Sequence, residues 1–294
     1  MAPSNPVLTA LRIKSKYGAA GTATRRRIAS GRGWAVHDVV CSSGPADRPF
    51  EERHDWVSVA VVLSGTFTYK NEFGRSLLTP GALLLGGAGG CFTCGHDHDE
   101  GDRCLSFHFE PAYFEDIAAA AGARTMGFMS ASQPARRNLA PLVARSLVAA
   151  NRTVSAASPG ALETLAIDLA EAAMLTQRDF RRPAISSQDE RRVVAVVRHV
   201  EREFSEPCAL SDLARLAGLS PYHFLRIFRS VAGLTPHQYL LRTRLRSAAS
   251  ELVTTDASVT NIALAAGFGD LSNFTRSFRS EYGLSPSSYR ASAS

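Results

Sequence analysis

Ser220-Pro-Tyr-His-Phe-Leu-Arg-Ile-Phe-Arg-Ser-Val-Ala-Gly-Leu-Thr-Pro-His-Gln-Tyr239 is followed by a second version of itself, Leu271-Ser-Asn-Phe-Thr-Arg-Ser-Phe-Arg-Ser-Glu-Tyr-Gly-Leu-Ser-Pro-Ser-Ser-Tyr289. Phe224 answers Phe274, Arg226 answers Arg276, Phe228 answers Phe278, Arg229 answers Arg279, and Gly233, Pro236 and Tyr239 answer Gly283, Pro286 and Tyr289. Upstream, Leu213-Ala214 and Ala217-Gly218 are mirrored by Ile262-Ala263 and Ala266-Gly267. Each copy therefore reads as a short helix, a glycine turn and a second helix, the helix-turn-helix pattern. Gly218 and Gly267 can take the left-handed conformation that stops a helix. Ser220 with Pro221, and Asp270, are the N-caps of the second helices. Phe274 and Phe278, spaced i, i+4, bury one face and leave the other to solvent.

That other face carries Arg226 and Arg229 in one copy and Asn273, Arg276 and Arg279 in the next. Guanidinium and amide groups pair with base edges and phosphates, so the partner indicated is double-stranded DNA. Amphipathic helix pairs also build ordinary bundles in which surface Arg only confers solubility; two copies with matching caps and endings favour DNA. Thr235 to Val253 reads as a rod whose Leu241, Leu245, Ala248 and Leu252 form an apolar stripe against both lobes. It would hold the two second helices for successive major-groove turns, roughly 34 Å apart.

Residues 190–292 resemble the DNA-binding domain of AraC/XylS-type bacterial transcription regulators. The resemblance is carried by Gly267-Phe268, Asp270, Phe274, Arg276, Phe278, Gly283, Pro286 and Tyr289. It implies that bases are read at the starts of the two second helices, by Tyr222, His223, Leu225 and Arg226 and by Leu271, Ser272, Asn273 and Arg276, with Arg229 and Arg279 beside them. Leu225 and Leu271 are apolar and can read only a thymine methyl. The resemblance further implies contact with RNA polymerase, as an activator or a repressor, and a homodimer is expected.

The 294 residues, 45% of them hydrophobic, allow two domains, each with its own core. The formal charge of +6 is uneven. Residues 1–32 hold seven Lys/Arg and no acid, residues 33–186 are net negative, and residues 187–294 hold thirteen Arg against ten Asp/Glu. Residues 1–32 are expected to be a mobile basic segment, either a solvated tail or an arm on DNA phosphates. No apolar run of membrane length and no leader-like stretch is seen, so a cytoplasmic protein is expected. The expected division is a sensor at 33–182, a linker at 183–190 and the DNA-binding domain at 191–294.

From Trp56 to Glu110 the pattern changes to short β-type runs, Trp56 to Leu63, Thr66 to Tyr69, Leu83 to Leu85 and Leu105 to Phe109, broken by turn residues. They point to an antiparallel barrel or sandwich, making the whole chain α+β. Val61-Val-Leu-Ser-Gly-Thr-Phe-Thr-Tyr69, then Thr79-Pro-Gly-Ala-Leu-Leu-Leu85, resembles the cupin-type barrel found ahead of many AraC-type DNA domains. In metal-binding cupins a histidine follows the Pro-Gly strand; Gly86 to Phe92 holds none, so the usual cupin metal site is expected to be absent.

Nearby, Cys91 to His108 packs three thiols and three imidazoles into eighteen residues. If the chain reverses through Glu100-Gly101-Asp102 as a hairpin, Cys94, His96 and His98 face Cys104 and His108 across it, a ligand set that suits zinc. A loop of even length would turn Cys104 and His108 away. The cluster is then a metal site, a thiol switch, plain packing or the lining of a small-molecule pocket. Cys41 and His54 are further candidates to approach the same barrel. Helices at Pro111 to Ala121, Pro134 to Asn151 and Pro159 to Gln177 form either a dimerisation face, a shelf under the barrel, or intramolecular core. The function indicated is a transcription regulator whose DNA binding answers to a metal ion, thiol oxidation or small molecule; the alternative is a cupin-type metalloenzyme tethered to DNA.

Overall fold

A computed structural model describes residues 6–123, 125, 127–151, 159–175 and 185–293. The chain divides into two compact units, Met1–Ala135 with Ala149–Arg182, and Arg136–Val148 with Pro183–Ser294.

The first unit opens with α1 (Pro6–Tyr17), followed by β1 (Ala23–Gly31), β2 (Trp34–Cys41), β3 (Phe50–Arg53), β4 (Val57–Ser64), β5 (Phe67–Asn71), β6 (Gly74–Leu78), β7 (Leu83–Gly86), β8 (Cys91–Gly95) and β9 (Asp102–Phe109). Then come α2 (Pro111–Ala120) and the short β10 (Ser132–Gln133). The strands form two antiparallel sheets, one of six in the order β1-β2-β9-β4-β7-β10 and one of four in the order β3-β8-β5-β6. β4 is almost wholly buried because its run of valines lies between β9 and β7. Ala60, Val62, Leu84 and Cys104 of the larger sheet meet Phe67, Tyr69, Leu78 and Phe92 of the smaller in one core.

Two expectations fail here. Residues 6–31 are no mobile tail: they form α1 and β1, and β1 pairs with β2 along nearly its whole length. Nor do β8 and β9 form a hairpin. β8 pairs with β3 and β5, β9 with β2 and β4, and the chain between them crosses from one sheet to the other. The crossing is pinned by side chains, with Thr66 donating to Asp99 (2.9 Å) and Thr68 and Arg75 donating to Asp97 (3.2 and 3.0 Å). Gly101 does take a positive φ, +71°, at the end of that crossing.

In the second unit, the first part of α3 (Ala140–Asn151) lays Ala140 and Ala144 on the core of the second helix-turn-helix copy, while its last residues, Ala150 and Asn151, belong to the first unit and accept from Arg103. α4 (Pro159–Leu175) belongs to the first unit, burying Leu162, Leu165, Leu169 and Met174, with Glu163 accepting from Trp34 (3.0 Å) and Tyr113 (3.2 Å). The helical domain continues with α5 (Ser187–Glu203), α6 (Leu210–Leu216), α7 (Pro221–Ala232), α8 (Pro236–Thr254), α9 (Val259–Ala265), α10 (Leu271–Tyr282) and α11 (Pro286–Ala293). Residues 187–190, expected to be linker, are the first turn of α5, capped by Ser186; residues 183–184 lie outside the described residues.

α8 separates the lobes differently from the expected single stripe. Leu245, Ala248 and Leu252, with Leu241 at the edge, all belong to the core of the second copy. The first copy is met by Tyr239, whose ring stands edge-on to Phe228 at 5.7 Å, and by Thr243 and Arg246, which join Tyr239 on the carboxylate of Glu201.

Candidate functional site

Between the two sheets lies an open-mouthed cavity of about 650 Å³. Side chains alternate along a strand, so β2 presents His37, Val39 and Cys41 to it, and β9 presents Asp102, Cys104, Ser106 and His108. The register Cys41↔Asp102 and His37↔Ser106 gives the cavity two polar ends.

At the first end, Cys41, His96 and Asp102 bring ligand atoms within 4.8 Å of one another. His96 Nε2 lies 2.7 Å from Asp102 Oδ1, and Cys104 Sγ donates to Asp102 Oδ2 at 3.6 Å. All four side chains are buried. Burial, and then the Asp102 carboxylate, push the thiols of Cys41, Cys94 and Cys104 above their usual range, so they stand protonated at neutral pH.

At the other end, His108 hydrogen-bonds Ser58 and Ser106, both at 3.0 Å, and meets the His37 ring edge-on at 5.0 Å. His54 stacks on Phe92 at 4.1 Å and bonds the Tyr69 hydroxyl at 2.9 Å. Arg25 and Arg27 of β1 reach the same cavity, and Arg25 pairs with Glu52 of the smaller sheet.

Of the five residues expected to share a metal, Cys94, Cys104 and His108 line the cavity and His96 joins its thiol end. His108 stands four residues along β9 from Cys104, about 13 Å at strand rise, too far for one ion. His98, half-buried in the crossing, is not in the Cys41, His96 and Asp102 group. Cys41 and Asp102 take their places. Asp102 hid in what reads as a turn, and Cys41 ends a strand whose His37-Val39-Cys41 alternation is the signal that locates it.

Burial holds His108 down to about 3 and His54 to about 4; His37, Arg25 and His54 deepen the effect on His108, and Arg25 that on His54. Both imidazoles are therefore neutral in the folded unit at pH 7. The unfolded chain takes up these protons near pH 6.5, so the stability tied to the neutral rings is complete above about pH 6.5 and is lost as pH falls toward 4 and then 3. The thermal midpoint is expected to drop between pH 6.5 and 4.5, and less steeply in His108→Gln. An equal slope in the variant would rule out this imidazole as a source.

In the helical unit, Gly218 and Gly267 adopt φ of +62° and +82° at the two turns. A side chain at Gly267 would also strike the Ser205 carbonyl oxygen, 2.4 Å from an added Cβ. Ser220 then accepts from the His223 amide (3.4 Å) and Asp270 from the Asn273 amide (2.6 Å), starting α7 and α10 in the same way. Phe224 and Phe228, and Phe274 and Phe278, are fully buried. The opposite faces present Tyr222, Arg226 and Arg229 on α7, with His223 and Leu225 half-exposed, and Leu271, Ser272, Asn273, Arg276 and Arg279 on α10. The structure thus leaves all ten residues singled out for DNA accessible.

A family model described as AraC-like ligand binding domain matches residues 39–206, and one described as Helix-turn-helix domain matches residues 213–292. The HTH-type transcriptional activator AarP of Providencia stuartii is 36% identical over 93 residues, 32% of this chain and 69% of that protein. The probable transcriptional regulator LumQ of Photobacterium leiognathi is 32% identical over 98 residues, 33% of this chain and 40% of its own length. The transcriptional activator NphR of Rhodococcus sp is 43% identical over 81 residues, 28% of this chain and 24% of its own length. The match thus spans less than half of LumQ and of NphR. The solved DNA-binding domain of AdpA in complex with a target DNA is 34% identical over 34% of this chain and 90% of that one, with a TM-score of 0.33. Because the ligand-binding model alone spans more than half of the chain and the helix-turn-helix model follows it, the chain belongs to the AraC family of transcription regulators.

Proposed function

We propose that this chain activates transcription from a promoter it reads with α7 and α10, and that a small effector held between the two sheets controls that binding. The observation that carries the reading is the pair of equally capped helices, each burying its aromatic pair and turning two arginines outward. The activator names of AarP and NphR support the direction of the response, and the reading includes contact with RNA polymerase. The reading includes a cytoplasmic homodimer; no helix among the described residues is long and apolar enough to cross a membrane. The two-sheet architecture supports a cupin-type sensor, and its cavity is large enough for a small organic molecule. Coupling runs through differential affinity of the effector for DNA-competent and incompetent states.

Selection of binding sites from a random DNA pool, followed by competition titrations, tests this. Arg276→Ala is expected to weaken the selected site by about 1–3 kcal/mol and unrelated DNA much less. Equal weakening on both would make Arg276 a phosphate contact. A wild-type protein that prefers no sequence would overturn the proposal itself.

A further inference from the structure

We propose that Cys41, His96, Asp102 and Cys104 form a binding site for one thiophilic divalent cation of the zinc class. The four come from separate places in the chain. Cys41 ends β2, Asp102 and Cys104 begin β9 directly beside it, and His96 sits where the chain leaves β8 to cross between the sheets. None is a surface residue: each is about 5% exposed.

The donor set decides the class of ion. Two sulfurs, one imidazole nitrogen and one carboxylate oxygen make the mixed, borderline-soft set that zinc takes in four-coordinate sites, whereas calcium and magnesium demand oxygen throughout. Ligand atoms around a tetrahedral zinc, with bonds of about 2.0 to 2.3 Å, stand about 3.5 Å apart. Cys41, His96 and Asp102 already lie within 4.8 Å of one another, and Cys104 Sγ is 3.6 Å from the Asp102 carboxylate. Cys41, His96 and Asp102 are thus already gathered, and Cys104, outside that group of three, reaches it through Asp102.

A second observation points the same way. One nitrogen of the His96 ring is bonded to Asp102, while the other is buried and has no hydrogen-bond partner among the described residues. A ring serving only as packing would normally satisfy both nitrogens or expose one. Stacking on Phe67 at 5.9 Å holds the ring in place without occupying either nitrogen. Binding exchanges protons for the ion: the Cys41 and Cys104 thiols release theirs to solvent and bind as thiolates, with no change of oxidation state. The bound ion would clasp the crossing segment to the larger sheet and close the thiol end of the cavity.

The test is cobalt(II) titration of chelator-treated full-length protein, followed by its thiolate-to-cobalt absorption, beside zinc content by elemental mass spectrometry. One cobalt per chain with thiolate absorption is expected, and zinc should displace it. Cys41→Ser, Cys104→Ser and Asp102→Asn should each weaken binding by more than about tenfold. Cys208→Ser, in the other unit, should leave it unchanged. Folded wild-type protein that gives no thiolate–cobalt absorption would overturn the site without any variant. So would absorption that survives the Cys41→Ser/Cys104→Ser double replacement. The readout is metal and not promoter binding, so failure here is separate from failure of the DNA-binding reading.

Discussion

Replacing Phe278 with alanine is expected to lower the stability of the helical unit by about 3–5 kcal/mol. Phe278 is fully buried where four rings of the second copy converge, with centroids 5.5 Å from Phe274, 4.6 Å from Tyr282 and 5.3 Å from Tyr289. Truncation removes the transfer free energy of the ring and leaves a cavity whose aromatic walls, on α10 and α11, cannot all close. Domains of ordinary stability have about 5–15 kcal/mol in total, so a loss of this size leaves α10 poorly held. Urea denaturation followed by far-UV circular dichroism measures it, and a loss below about 1 kcal/mol would show that the site collapses without cost. Arg276, two residues earlier on the opposite face, should affect DNA affinity and leave the midpoint unmoved.

Asp38→Ala should be almost as damaging to the sheet unit, by about 3–5 kcal/mol, for an electrostatic reason. Asp38 and Arg103 lie on neighbouring strands, on the face of the larger sheet away from the cavity. The Arg103 guanidinium meets both carboxylate oxygens, at 2.8 and 3.0 Å, and also donates to the Ala150 carbonyl and the Asn151 side chain. Both partners are buried. Removing the carboxylate strands a buried cation that two neutral acceptors cannot balance. Removing both charges is a different matter, because a well-packed apolar pair escapes the desolvation penalty. Asp38→Leu/Arg103→Met is therefore expected to be clearly more stable than Asp38→Ala. Thermal unfolding of the three proteins decides it, and a double variant as unstable as the single one would show that geometry rather than charge balance is what the pair supplies.

The helical repeat was legible because its determinants are local. A cap, a proline in the first turn, a glycine at +62° or +82° and an i, i+4 aromatic pair all lie within one supersecondary unit. The sheets were legible only in part. The valine run of β4 announces a buried strand, but the three consecutive arginines of β1 mask an edge strand whose Arg25 and Arg27 turn toward the cavity. Pairing was the least legible feature. β8 and β9 are neighbours in sequence and, by turn chemistry alone, fit a hairpin; which sheet each joins is settled by strands as distant as β2 and β3. The same nonlocality explains the thiol end of the cavity. His96 and Cys104 stand in a conspicuous cluster, yet the pairing of Cys41 with Asp102 exists only once β2 and β9 are in register.

Both tryptophans of the chain, Trp34 and Trp56, lie in the sheet unit, and Trp56 borders the cavity. Their emission is an intrinsic optical gauge of the sensor alone. A molecule entering between the sheets changes the polarity or quenching around the Trp56 indole, while the helical unit adds no indole signal of its own. Candidate effectors can therefore be ranked on unlabelled full-length protein by fluorescence before any promoter is known.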